Sequence, residues 1–147
     1  MIGLLKVVDK NSLLRAIVFA KAKADLQFFK LKYKGIDTQS IDNDDKASIR
    51  KYTNLCEKLQ RNRNDCQRKD VFIFVEEMRI TFKDSYDLED VKAIQRSLNE
   101  VHGRHYYRIH LFQVTGDKCT HLWSGVTASE RNIIIIKNNG LLTFQET

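Results

Sequence analysis

Between Tyr106 and Trp123, polar and apolar side chains alternate on both sides of a single Gly116-Asp117 dipeptide. This stretch constrains the fold of the chain more than any other. Two-residue connections of the Gly-X type favour the primed turns whose twist matches that of paired strands, so a strand ending at Thr115 is expected to turn directly into one starting at Lys118. The register then pairs Val114 with Cys119, Phe112 with His121 and His110 with Trp123. Side chains alternate across a strand, so one face would carry Tyr106, Arg108, His110, Phe112, Val114, Cys119, His121 and Trp123. The other would carry Tyr107, Ile109, Leu111 and Leu122, and it is the more conventional core face. The first face gathers two imidazoles, a guanidinium and an indole within about 5–8 Å, the range for opposite and diagonal neighbours. A slip of one residue would scatter that set over both faces.

The rest of the chain supplies what such a hairpin needs to pack against. Residues 2–8 read as a short apolar strand. From Ser12 to about Leu31, the apolar residues Leu13, Ile17, Ala20, Ala24, Phe28 and Leu31 recur at helical spacing, behind a cap at Asn11 or Ser12. Residues 34–45 hold Gly, Ser, Asn and Asp without a period and read as a loop. A second helix is expected from Asp44 or Asp45, with Ile49, Tyr52, Cys56 and Leu59 as its buried stripe. The run VFIFVEEMRITF at 71–82 is rich in β-formers and reads as one bulged strand or two short ones. Asp87 and Asp90 have capping-box spacing at the start of a helix over 88–101 that ends before Gly103, with His102 a cation at its C-terminal end. Thr127 to Glu130 has the same box spacing and predicts a helical turn. Four isoleucines within 132–137 read as a buried strand, and Asn138-Asn139-Gly140 turns it into a last strand over 141–145. The expected fold is therefore a single α+β domain over residues 1–147, with about three helices on a mostly antiparallel sheet that ends in two hairpins.

Length and composition agree with one soluble domain. At 147 residues, 42% hydrophobic and 30% charged, the chain can bury one substantial core. It shows neither an apolar run long enough to span a membrane nor the pattern of a secretory signal, so an intracellular protein of the cytoplasm or nucleus is expected. Cys56, Cys66 and Cys119 form no C-x-x-C pair, and neither a zinc site nor a disulfide framework is indicated. With no proline in the chain, every reversal must rely on Gly, Asn, Asp or Ser.

The formal net charge of +6 is unevenly distributed. Residues 1–69 carry 16 Lys and Arg against 8 Asp and Glu, while residues 70–147 carry 9 against 11 and hold all four histidines. A basic helical half joined to a nearly neutral, sheet-rich half points to an anionic partner, and nucleic acid is the commonest. Lys58, Arg61, Arg63, Arg68 and Lys69 lie among Asn and Gln, side chains that also donate to phosphates and base edges.

The mixed hairpin face supplies the chemistry to go with that partner. His110 and His121 can divide general base and general acid work near neutral pH, Arg108 can neutralise a phosphorane-like state, and Tyr106 and Trp123 can stack on bases. That combination suits cleavage of RNA without metal or cofactor, so RNA rather than DNA is the expected partner. The alternative is a non-catalytic interaction or inhibitory module whose basic surface meets an acidic protein. No set of three converging metal ligands is legible.

Overall fold

The computed structural model describes residues 12–61, 65–83, 85–138 and 143–146. The strand expected at 2–8 lies outside them. Among the described residues, four α-helices, α1 (Ser12–Lys32), α2 (Asn43–Arg61), α3 (Asp65–Met78) and α4 (Leu88–His102), precede four strands. The strands are β1 (Tyr107–Thr115), β2 (Lys118–Ser124), β3 (Arg131–Asn138) and β4 (Thr143–Glu146), arranged in the order β2-β1-β3-β4. The expected α+β architecture is what forms.

The layers follow from which side chains need cover. α1 packs on β3 and β4, α4 packs on β1, and α2 and α3 pack chiefly on α1. Sandwiched in this way, α1 buries residues around most of its circumference, including Leu13, Leu14, Ile17, Val18, Phe19 and Ala20. The single apolar stripe expected for it is therefore too narrow, and Leu31 at its end is exposed. One continuous core joins these residues to Leu59 of α2, Phe74 of α3, Leu98 of α4, Ile109 and Leu111 of β1, and Ile133 and Ile135 of β3. The basic half and the sheet-rich half thus share one hydrophobic interior. Each fully buried aliphatic side chain in it contributes about 1.5–3 kcal/mol.

Residues 65–78 correct the sequence reading, because the β-rich run there is largely helical. Val71, Phe74, Val75 and Met78 are buried at i, i+3, i+4 and i+7, a helical face that the intervening Phe72 and Ile73 obscured. Packing against α1 and α4 outweighs the local β preference, which is worth at most about 1 kcal/mol per residue. The helix closes with Arg79 at φ 54, the Arg79 N–H on Glu76 O and the Ile80 N–H on Val75 O. These are the paired bonds of a Schellman cap, with an arginine where glycine is usual.

The sheet holds a second departure. β1 and β2 form the expected hairpin, with Gly116 at φ 60, and β3 and β4 form the second. β3, however, runs parallel to β1, from Tyr107 opposite Arg131 to Val114 opposite Asn138. Residues 125–130 therefore cross the start of β1 to reach its other side. Thr127 to Glu130 form no helical turn. Instead the Ser129 hydroxyl donates to Tyr106 O and accepts from Arg131 N–H. Only Ile133 and Ile135 of the isoleucine run face the helices; Ile134 is partly exposed on the other face.

Candidate functional site

The helices cover Tyr107, Ile109 and Leu111, which are at most 2% exposed. Arg108, His110 and Phe112 consequently lie on the open face of the sheet. The hairpin register holds as expected from the turn to Phe112 opposite His121, then shifts: Leu111 pairs with Trp123, and His110 pairs with Ser124. Leu122 is the extra residue of a β-bulge, and alternation restarts out of phase beyond it. Leu122 is 39% exposed, whereas Trp123 packs against the core. Trp123 is thus removed from the open face, and Ser124 takes its place beside His110.

The bulge assembles a chain of hydrogen bonds that the regular register lacks. Ser124 Oγ lies 2.6 Å from His121 Nε2 and 2.8 Å from His110 Nδ1. His110 Nε2 lies 2.7 Å from Asn132 Oδ1, on the neighbouring strand β3. Asn132 directs its amide nitrogen toward Ser129 O at 3.4 Å, which leaves Oδ1 facing the imidazole. A carbonyl oxygen only accepts, so in the neutral His110 ring the proton sits on Nε2 and Nδ1 offers a lone pair. In that tautomer the Ser124 hydroxyl can donate to Nδ1 and accept from an Nε2–H of His121. His121 also meets the Phe112 ring edge-on, with centroids 5.2 Å apart.

Behind this array, a buried amide completes the strand. Below Ser124, β2 ends and leaves Tyr107 O and Ile109 N–H of β1 without a ladder partner. Gln95 of α4, 7% exposed, fills the gap: Nε2 donates to Tyr107 O at 2.9 Å, and Oε1 accepts from Ile109 N–H at 2.8 Å. Its second amide proton goes to Asn99 Oδ1. The Gly125 N–H donates to Ile109 O, and Arg108 Nε donates to Gly125 O at 2.7 Å. Arg108 is thereby engaged in holding the segment that follows Ser124. A Cβ on Gly125 would stand 2.8 Å from Gln95 Oε1, so only glycine admits this approach.

A second polar cluster lies at the base of the sheet. Asp25, 1% exposed, accepts from Tyr107 OH at 2.5 Å and sits 3.2 Å from Arg131 Nε and 3.5 Å from Lys21 Nζ. The Arg131 guanidinium is held between the rings of Phe28 and Tyr106, 3.7 and 4.0 Å from their centroids. Tyr106 also stacks on His102, so its ring is engaged on both sides. Burial, then the charge on Asp25, pushes the Tyr107 hydroxyl far above its ordinary range. Burial, reinforced by Lys21, holds His102 below the usual imidazole value. At the helix end where a cation was expected, the His102 ring is packed against two tyrosines.

The expected basic residues lie elsewhere. Lys58 on α2 and Arg68 and Lys69 on α3 are exposed in the outer helical layer, apart from the open sheet face. Arg63 and the side chain of Arg61 lie outside the described residues. Cations nearer the histidines come from α1, where Lys23, Gln27 and Lys30 line a groove of about 400 Å³ together with Asn132 and Ile134. Sequence reasoning missed Ser124, Asn132 and Gln95. Ser124-Gly125 at a strand end and the polar Asn132 opening the isoleucine run were the available signals.

Among the described residues, no three His, Cys, Asp or Glu side chains converge as a metal site. Cys56 and Cys119 are free thiols, and burial raises the pKa of the former. No described helix is long and apolar enough to cross a membrane. Comparison with family models, curated proteins and solved structures found no match.

Proposed function

We propose that this chain binds single-stranded RNA across the open face of its sheet and cleaves it without a metal. The observation that carries this reading is the convergence of two imidazoles on one point of that face, both within hydrogen-bond reach of Ser124 Oγ. Asn132 assigns the roles. His110 Nδ1, with its lone pair, takes the 2'-hydroxyl proton as that oxygen attacks the adjacent phosphorus, while His121, entering as the imidazolium, gives its Nε2 proton to the departing 5'-oxygen and is left neutral. A 2',3'-cyclic phosphate and a free 5'-hydroxyl result. The groove with Lys23 and Lys30 leads phosphates toward Asn132, and Phe112 with His121 offers the nearest ring surface for a base. Arg108 serves by fixing Gly125 as well as by its charge.

Labelled single-stranded RNA incubated in EDTA tests the reading. The wild type is expected to cleave it, and His110→Ala and His121→Ala are each expected to lose about 10²–10⁴-fold in rate. Affinity should fall with salt at a slope of about −0.7 per neutralised phosphate. Equal cleavage by all three proteins removes the catalytic part, and undetectable binding at low salt removes the whole.

A second reading rests on the outer layer. Phe72 and Ile73 of α3 are 54% and 43% exposed, Phe82 stacks on Phe72, and Lys69 lies on the same helix. An acidic protein partner with an apolar anchor suits that surface. Lys58→Glu with Lys69→Glu should abolish such binding and leave RNA affinity at the open face unchanged.

A further inference from the structure

The hydrogen-bond order on the open face runs hydroxyl, imidazole, carbonyl: Ser124 Oγ to His110 Nδ1 at 2.8 Å, then His110 Nε2 to Asn132 Oδ1 at 2.7 Å. A nucleophile, its base and a group that orients the base stand in that relation where a histidine activates a serine. We propose that Ser124 is a nucleophile toward small acyl esters, with His110 as its base and Asn132 as the residue that positions the base. The inference uses the same imidazole as the RNA reading, but it needs no RNA and requires Ser124, which 2'-hydroxyl attack does not.

The scaffold fixes each part of the array. His110 and Asn132 stand on the paired strands β1 and β3, and the peptide after Ser124 is held at both ends by Ile109 O and Arg108 Nε. The bulge at Leu122 is what turns His121 and Ser124, three residues apart, to the same side. In the reaction, Ser124 Oγ bonds to the ester carbonyl carbon as its proton passes to His110 Nδ1. Collapse of the tetrahedral adduct breaks the carbon–oxygen bond to the leaving alkoxide, which takes that proton from His110. Water then attacks the acyl-serine, gives its proton to His110, and releases the carboxylic acid as Ser124 regains its hydrogen.

The geometry also sets the substrate class. The Gly125 N–H stays in its backbone bond to Ile109 O, whereas the side chain of His121, whose Nε2 lies beside Oγ, can turn from Ser124 to meet the developing oxyanion. One imidazole donor in place of paired backbone amides favours esters with a good leaving group. An open face gives a long acyl chain no walls to bury against, so small acyl groups lose nothing by being short. With only this donor, the acyl-serine should form faster than water removes it.

p-Nitrophenyl acetate is the probe, with release of nitrophenolate followed by stopped flow and the acetylated residue located by peptide mass mapping. The expected result is a burst of one equivalent per chain, with the acetyl group on Ser124. The burst should disappear in Ser124→Ala and persist in Cys119→Ser. His110→Ala should slow it by about 10²-fold or more, and Asn132→Ala by a smaller factor that Asn132→Asp restores. Circular dichroism of each variant checks folding, and Ser124→Cys, which keeps a nucleophile, should still be acetylated. Acetyl groups found only on Cys119, His121 or lysines, or a burst retained in Ser124→Ala, overturn the proposal. Ser124→Ala that loses acylation but still cleaves RNA separates the two activities; loss of RNA cleavage in His121→Ala alone leaves the acyl reaction standing on the Ser124 label.

Discussion

Ser124 Oγ meets His121 Nε2 at 2.6 Å although the two residues are three apart on one strand. In an uninterrupted strand, residues of odd separation point to opposite faces. The bulge at Leu122 cancels one step of alternation, and the same step swings Trp123 from the open face to the core.

That exchange predicts opposite tolerances at adjacent positions. Leu122→Lys, on an exposed side chain, should change stability by no more than about 0.5 kcal/mol. Trp123→Lys should cost about 2 kcal/mol or more, because it removes aromatic packing and places a cation against the core. Urea midpoints of the two variants decide the matter, and the uninterrupted register demands the reverse order.

Gly125 should resist even the smallest side chain. A Cβ there would lie 2.8 Å from Gln95 Oε1, and moving Gln95 frees a buried Ile109 N–H and Tyr107 O. Gly125→Ala is expected to cost about 1–3 kcal/mol by denaturant unfolding. In a Gln95→Ala background, the added cost should be much smaller, since the two changes break one contact.

Arg79 offers the opposite opportunity. It holds φ 54 at the end of α3, where a side chain in the left-handed region costs about 1–2 kcal/mol and glycine gives back part of that in chain entropy. Arg79→Gly should therefore stabilise the fold by about 0.5–1 kcal/mol. A lower midpoint in the glycine variant would contradict the cap.

His102 should make stability depend on mild acid. Burial, then Lys21, holds its folded value below the ordinary 6.5, against the opposing effects of Asp25 and Glu77, with Arg131 the weakest contribution. The unfolded chain therefore binds the proton first. The contribution of the neutral ring is complete above the unfolded value and is lost as pH falls through the folded one. Urea midpoints should drop as pH falls through the ordinary 6.5 and below it, and the drop should shrink in His102→Gln.

The hairpin was legible because its cause is local: a Gly-Asp turn with alternating flanks sets the register from Thr115 and Lys118 as far as Phe112 and His121, and marks Ile109 and Leu111 as the more conventional core face, which the helices do bury. Helices α1, α2 and α4 were legible for the same reason, through caps and periodic apolar residues. The convergence of His110 and His121 on the open face also followed from register. Helix α3 was not legible, because VFIFV satisfies a strand locally and only contact with α1 and α4 selects the face Val71, Phe74, Val75 and Met78.

By itself, then, the sequence determined an α+β chain with a charged helical half, a hairpin of known turn and a pair of imidazoles on one of its faces. Those properties depend on neighbours within a few residues. The tertiary structure decided the parallel pairing of β1 with β3, which delivers Asn132 to His110 from 22 residues away. It also decided the bulge, since burying Trp123 against the core requires one extra residue in β2. Ser124 joins the histidines as a consequence of that burial.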